Sequence, residues 1–394
     1  MRRGSATARS PASLNDEHPS DEHPSDEHPS DKHVTDGAAP ASLFLGLSPY
    51  IRKTVMVSRD SRIHNLYLYA VLSAALASGH CLWADEKIGG RLRPDNPKMV
   101  KLPIAWPNGD EATMVVFQNR LLMLSSYRKI GGGEMYLRVH DLFTSNEIAR
   151  FGDNFSFACG FVNGNELNMF ATKTSESEWT KDVHRFRTTD LKTWKREKVL
   201  PRIGKKYLLN TSVCKAPQGY LMAYESDGPT GWETWLARSQ NLSSWDRNLG
   251  LKFIGVVFAN PTIRYVAPYY YLMFGTHRTA SPITDYEYHL DSTRYITALM
   301  RSKDLVAWEL SPTKYPMLDA AAGEGINNTD ADLFEYQGNT YIYYITGDQM
   351  TWGAGRLAMY PGSMQACLEA HFPPHVPMVK YDARQAKFTY PQPE

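Results

Sequence analysis

From residue 100 onward, the chain alternates short hydrophobic runs with polar turns. Five pairs of runs rich in β-branched and aromatic residues flank a turn, and each pair predicts a β-hairpin. The pairs are ATMVVFQNRLLMLSSY, FSFACGFVNGNELNMFATK, TSVCKAPQGYLMAYES, PTIRYVAPYYYLMFGTH and DADLFEYQGNTYIYYITG. No long helical periodicity is evident in the sequence. The pattern therefore predicts an all-β chain.

A weak repeat follows the hairpins. LRVHDL, FRTTDLKTW, ARSQNLSSW and MRSKDLVAW share an Arg, then Asp or Asn three residues later, then Leu; GRLAMYPG is a degenerate fifth copy. The arginines recur roughly every fifty residues, at Arg138, Arg187, Arg238, Arg301 and Arg356. Five units of this length predict a five-bladed β-propeller. The Trp after three motifs (Trp194, Trp245, Trp308) is predicted to pack between blades.

Two segments precede the repeats. Residues 1–55 contain three tandem DEHPS copies and little to bury, which predicts a disordered low-complexity tail or a non-translated leader. Residues 56–84 place arginines before the apolar run LYLYAVLSAALA, with small residues after it, which is typical of a secretory signal and too short to span a membrane. An amphipathic helix of a cytosolic protein is the alternative. The propeller is then expected at 85–394, and the mature protein in the periplasm or medium.

Charge and cysteine content bear on which ligands and cross-links the chain could have. The formal net charge is +1, without a basic stripe in the repeats, so no nucleic-acid partner is expected. Outside the signal segment the cysteines are Cys159, Cys214 and Cys367, which are widely spaced and lack a metal-ligand pattern. One disulfide or three buried thiols fit equally well.

Polar residues recur where each first strand begins. When the hairpins are aligned on their turns, the residues at the start of the first strand are Glu111, Ser156, Asn210, Asn260 and Asp330. The first and last are carboxylates, and closing the ring would make their units neighbours. The second strand ends on the same face, at Arg128, Lys173, Glu225, the pair His277 and Arg278, and the pair Asp348 and Gln349.

Glu225 is the one acid that directly ends an apolar second strand. A protonated acid facing an ionised one across a sugar is what glycosidic bond cleavage requires. We therefore predict catalytic roles for Glu225, Asp330 and Glu111, with Asp332 competing with Asp330. Strand capping is the alternative for Asp330, because Asn210 and Asn260 occupy equivalent positions.

The remaining candidates are predicted to bind substrate. Indole faces stack on sugar rings, and tryptophans follow the second strands at Trp179, Trp232, Trp235 and Trp352, although Trp179 or Trp235 can instead belong to the core. Arg128, Lys173 and Arg278 could bind uronate or sulfate groups or pair with Glu111 or Asp348. Arg264, His277, Asn328, Asp348 and Gln349 complete the set, and Glu324 and Asn327 are expected on the same rim.

The motifs NPTIRY, DADLFEYQGNTYIYY, RTTDLKTWK and RSKDLVAWE resemble the strand pairs of five-bladed propeller glycoside hydrolases of families 43, 32 and 117 over residues 100–362. That resemblance implies an acidic base or nucleophile at a strand start, matched by Asp330, and a Glu general acid, best matched by Glu225. Some members carry an auxiliary Asp where this chain has Ser156 or Asn210.

These observations predict an exo-acting glycoside hydrolase for an oligosaccharide of plant or algal origin. The exo assignment depends on the long insertion between His277 and Asp291. A glycoside phosphorylase of the same fold and a non-catalytic sugar-binding propeller are the alternatives. No cofactor is expected beyond a structural calcium ion that the channel could hold.

Overall fold

The computed structural model describes residues 99–106, 111–129, 133–174, 181–228, 231–254, 258–277, 295–312, 316–318, 323–347 and 352–391. The predicted tail (1–55) and signal segment (56–84) lie outside the described residues. Within the described part of the chain, no helix has the length and apolar character needed to cross a membrane.

The described strands form five antiparallel blades around a channel. The first strand, β1 (Val100–Trp106), belongs to the last blade. Blade 1 follows with β2 (Ala112–Phe117), β3 (Arg120–Arg128), β4 (Met135–Asp141) and β5 (Glu147–Phe151). Blade 2 contains β6 (Phe155–Asn163), β7 (Glu166–Lys173), β8 (Val183–Thr188) and β9 (Lys195–Leu200). Blade 3 contains β10 (Leu209–Ala216), β11 (Gly219–Gly228) and β12 (Gly231–Ser239).

Blade 4 contains β13 (Ala259–Val266), β14 (Tyr269–His277), β15 (Tyr295–Ser302) and β16 (Ala307–Leu310). Blade 5 contains β17 (Asn327–Tyr336), β18 (Asn339–Gly347) and β19 (Trp352–Tyr360). A short helix follows, α1 (Met364–Glu369), and then β20 (Lys380–Asp382) and β21 (Lys387–Thr389). These last two strands extend the outer edge of blade 4.

The ring closes through the N-terminal strand. β1 pairs antiparallel with β19 and becomes the outermost strand of blade 5. The inner strands β2, β6, β10, β13 and β17 contact one another in that order, and β17 contacts β2. Closure therefore sets the last repeat beside the first, and the predicted five-bladed propeller is confirmed.

The repeated motif is a turn between the third and fourth strands. In FRTTDL the hydroxyl of Thr188 accepts the Leu191 N–H at 3.0 Å, and Oδ1 of Asp190 accepts the N–H groups of Lys192 and Thr193. The equivalent Leu242 and Leu305 donate to Ser239 and Ser302. All three leucines have φ between +61° and +68°, a region costly for a side chain of this type. The side-chain hydrogen bonds offset that cost, which explains why Ser or Thr and Asp or Asn recur.

The motif tryptophans pack as predicted. Trp308 is 1% exposed, donates to the carbonyl of Leu305 at 2.8 Å and contacts Phe253 edge-on. Trp194 in blade 2 stacks on Phe151 of blade 1, and Trp245 of blade 3 meets Phe170 of blade 2. Each indole therefore packs against an aromatic residue that comes earlier in the chain. The cysteines Cys159, Cys214 and Cys367 are buried free thiols.

Candidate active site

A β-bulge near the start of four inner strands builds the site. The register of β6, β10, β13 and β17 shifts there. The bulged residues have φ between +48° and +56°, and they are Phe157, Asn210, Asn260 and Asp330. Asn and Asp tolerate this left-handed conformation better than most residues. At three of the four bulges, the polar residue is thus explained by backbone geometry as well as by chemistry.

One predicted position is wrong. Asn163 pairs with Glu166 across the hairpin turn of blade 2, and counting back from that turn places Phe157, not Ser156, at the bulge. Ser156 is fully buried beside it. The Phe157 ring lies under the guanidinium of Arg128, with 4.6 Å between the guanidinium carbon and the ring centroid.

Three of the four predicted acids meet at one cavity of about 220 Å³. Closure of the ring brings Glu111 and Asp330 together from blades 1 and 5, and Glu225 joins them from the end of β11. The lining also includes Arg128, Phe157, Leu209, Asn210, Trp232, Asn260, Asn327, Ile345, Thr346 and Gly353. Glu225 and Asp330 therefore open onto the same end of the channel.

Two asparagines connect the carboxyl groups. The backbone N–H of Asn260 donates to Oε2 of Glu225 at 2.6 Å, and its side-chain amide donates to Oδ1 of Asp330 at 2.5 Å. Asn210 Nδ2 donates to the same Glu225 oxygen at 2.9 Å and to Oδ1 of Asn260 at 2.7 Å. Asn260 thus holds Glu225 and Asp330 through its two donor groups.

The environment of Glu225 favours the protonated form of its carboxyl group. Burial raises its pKa to about 8, against the two amide donors that lower it, and the charges of Asp330 and Glu111 raise it further. Because both amide donors bind Oε2, the structure leaves Oε1 as the oxygen that carries the proton. An acid of this kind can protonate a leaving group.

Glu111 and Asp330 are neighbouring carboxyl groups in the cavity. Arg128 Nη2 lies 3.0 Å from Glu111 Oε1; burial raises the pKa of Glu111 and Arg128 opposes that rise. The pKa of Asp330 is raised to about 7 by burial and by the charge of Glu111. Asp330 accepts from the neutral donors Asn260 and Thr329. The charge of Arg128 lowers the pKa of both carboxyl groups, and its hydrogen bond goes to Glu111.

Asp332 does not share this environment. It lies along the channel from Asp330, pairs with Arg264 and accepts the Leu333 N–H at 2.8 Å. Arg264 also donates to Ser212 at 3.2 Å. Neither Asp332 nor Arg264 lines the cavity of about 220 Å³. The structure places Asp332 and Arg264 in an ion pair, and their roles in catalysis and substrate binding stay predictions.

Asn328 also has a charged partner. Its side chain is fully buried and accepts from Lys101 Nζ at 2.8 Å. Lys101 also pairs with Glu324, which accepts the Tyr344 hydroxyl at 2.8 Å. This network connects β1 to the inner strands of blade 5. The structure thus gives Asn328 a buried structural contact, and substrate binding by Asn328 stays a prediction.

Other predicted residues divide between rim and core. Trp232 lines the cavity. Lys173 instead places its ammonium over the Phe155 ring at 4.8 Å and is not part of the cavity wall. Trp235 packs against the core between blades 2 and 3. The side chains of His277 and Trp352 lie outside what the structure describes, as do the whole residues Trp179, Arg278, Asp348 and Gln349.

Among the described residues, no group of three or more His, Cys, Asp or Glu side chains could hold a metal ion. A second, smaller cavity along the channel is lined by residues that include Thr113, Ser212, Thr262 and Asp332. A structural calcium ion in the channel stays a prediction.

Solved structures share this fold. A complex of BT0996 with RGII is 13% identical with a TM-score of 0.50, over 67% of this protein and 92% of that one. Another, described as "Glycoside hydrolase", is 14% identical with a TM-score of 0.50, over 68% and 93%. The catalytic domain of a Coprinopsis cinerea GH62 α-L-arabinofuranosidase is 10% identical with a TM-score of 0.49, over 69% and 99%.

No protein-family model and no curated protein sequence matches the chain. At identities this low the likeness concerns the fold. It confirms the resemblance to glycoside hydrolase propellers at that level and does not single out one family.

Proposed function

We propose that the protein is a glycoside hydrolase, exo-acting on an oligosaccharide of plant or algal origin. The observation that carries this proposal is the meeting, in one cavity, of Glu225, whose pKa burial raises to about 8, with the neighbouring carboxyl groups of Glu111 and Asp330. Environments that push the pKa values of carboxyl groups apart separate an acid from a base. The similar fold of a protein solved in complex with RGII agrees with a carbohydrate substrate.

Glu225 acts as general acid. Its proton moves to the glycosidic oxygen while the bond from that oxygen to the anomeric carbon breaks, and the leaving sugar departs as an alcohol. The carboxylate of the Glu111–Asp330 pair accepts a proton from water as the water oxygen bonds to the anomeric carbon. Exchange with solvent then returns both groups to their starting protonation.

Direct attack by a carboxylate is the other form of this chemistry. A retaining site needs carboxyl groups about 5–5.5 Å apart, and an inverting site about 6.5–9.5 Å. NMR of the first-formed anomer distinguishes the two. Replacing Glu111 by Gln and Asp330 by Asn in separate variants identifies which carboxylate is essential.

The screen that tests the function uses arabinan, xylan, rhamnogalacturonan and algal oligosaccharides. We expect release of single sugars by the wild type and a loss of about 10²–10⁴-fold for Glu225→Gln on natural linkages. Random internal cleavage would contradict the exo assignment, whose motivating insertion lies outside the described residues. Equal activity of both proteins would refute the role of Glu225.

The alternatives give different products. A phosphorylase would release sugar phosphate only when phosphate is present, and Arg128, a candidate phosphate ligand, is already paired with Glu111. A binding module would retain oligosaccharides and cleave none. We also propose secretion to the periplasm or medium; mass spectrometry of the N-terminus of exported protein would show whether cleavage occurs within 56–84.

A further inference from the structure

Two aromatic side chains flank the cavity on the side of blade 3. Trp232 lines the cavity from β12. Tyr207 lies in the connection between β9 and β10 and is 37% exposed. Their ring centroids are 6.1 Å apart, with 43° between the ring planes. The rings therefore form an angled surface at the mouth, which we call the aromatic pair.

The strand register relates this aromatic pair to Glu225. In the β11–β12 ladder, Glu225 is opposite Thr234 and Asp227 is opposite Trp232. Opposed residues share a face of the sheet, and residues two apart along a strand also share a face. Glu225, Asp227 and Trp232 therefore lie on one face, with Trp232 nearer the rim.

Tyr207 is held at this face. Its backbone N–H donates to Oδ1 of Asp227 at 2.6 Å, a charge-assisted bond that fixes the loop against β11. Trp235, on the opposite face of β12, packs into the core. Strand alternation thus separates a core tryptophan from one that borders the cavity.

We propose that Tyr207 and Trp232 bind the first sugar of the leaving group. This inference rests on the proposed function. A general acid must lie beside the glycosidic oxygen, and the second substituent on that oxygen is the departing sugar. An aromatic surface on the face that carries Glu225, further toward the rim, contacts the C–H face of that sugar. Blade 3 then determines which leaving-group sugars the site accepts.

The kinetic test compares two substrates of the sugar that the wild type releases, an oligosaccharide and the corresponding glycosyl fluoride. Fluoride is too small to reach the aromatic pair and needs little acid assistance. We expect Tyr207→Ala and Trp232→Ala each to lower kcat/KM on the oligosaccharide by about tenfold or more, with little change on the fluoride.

Conservative variants and a matched control separate contact from folding. Tyr207→Phe and Trp232→Phe keep a ring and should restore most of the loss. Tyr390→Ala removes another exposed tyrosine, 49% exposed and beyond the outer edge of blade 4, and should leave both substrates unaffected. Equal losses on oligosaccharide and fluoride, or no loss on either, would overturn the proposal.

A binding measurement keeps the two proposals distinguishable. Saturation-transfer NMR on Glu225→Gln with arabinotriose, xylotriose and trigalacturonate needs no turnover. If the wild type hydrolyses nothing but a trisaccharide binds and Trp232→Ala weakens that binding, the sugar site stands and the hydrolase proposal fails. If no trisaccharide binds, or the alanine variants bind as well as the parent, the sugar site is refuted.

Discussion

Replacing Glu225 by Gln should stabilise the protein near neutral pH. Glu225 is 2% exposed, and burial raises its pKa from 4.5 in a model peptide to about 8. Between these two values the unfolded chain releases the proton and the folded chain keeps it. The folded state therefore binds more protons, so the free energy of unfolding falls as pH rises through this window.

The magnitude follows from linkage. Each pH unit in the window lowers the free energy of unfolding by about 1.4 kcal/mol, which accumulates to about 3 kcal/mol at pH 7. Glutamine avoids this loss because it does not titrate. Its carbonyl can accept the same two N–H groups from Asn210 and Asn260 that Oε2 accepts, and its amide occupies the place of the protonated oxygen.

Urea unfolding at pH 5, 6, 7 and 8 measures the effect. The difference between Glu225→Gln and wild type should grow with pH and level off above about pH 8. Glu147→Gln, which makes the same substitution at an exposed position, is the matched control. Parallel curves for Glu225→Gln and wild type would show that Glu225 is ionised in the folded protein. The acid assignment would then lose its physical basis.

Other changes test the structure around the site. Arg264→Met should lower the free energy of unfolding in urea by about 3–5 kcal/mol because it leaves Asp332 buried without its cation, and adding Asp332→Asn should recover most of that loss. An Arg264→Met variant as stable as wild type would contradict the ion pair. Asn260→Ala removes a hydrogen-bond donor that lowers the pKa of Asp330, so the acidic limb of the pH profile of kcat/KM should move to higher pH. An unshifted acidic limb would contradict this effect of Asn260 on Asp330. Trp308→Ala should lower the free energy of unfolding by about 3–5 kcal/mol and leave KM unchanged. A raised KM would indicate that Trp308 contacts the substrate.

The blades were predictable because their signals are local. Alternating runs around a turn define each hairpin, and the Asp–Leu motif marks a turn whose hydrogen bonds lie within a few residues, as at Thr188 and Leu191. Ring closure follows once five such units are counted. The contribution of β1 to blade 5 could not be predicted, since its partner β19 is some 250 residues away along the chain.

The site was predictable where it depends on strand ends and not where it depends on register or partners. Placing Ser156 at the strand start was a one-residue error, because the exact turn of the hairpin and the bulge are not visible in the alternation. Asp332 and Asn328 were assigned chemistry because they are polar near a mouth. Their partners Arg264 and Lys101 come from other strands. Pairings between residues so far apart along the chain cannot be predicted from a local sequence pattern.

Asp330 and Asp332 show how one short stretch yields two different carboxyl groups. Burial raises the pKa of both carboxyl groups. Asp332 pairs with Arg264, whose charge opposes that rise. Asp330 accepts from the neutral donors Asn260 and Thr329, and burial and the charge of Glu111 raise its pKa to about 7 while Arg128 opposes them. A carboxyl group with a pKa of about 7 changes its protonation easily near neutral pH. The bulge that turns Asp330 toward Asn260, and leaves Asp332 facing along the channel, is thus the local feature that separates the candidate base from the ion-paired acid.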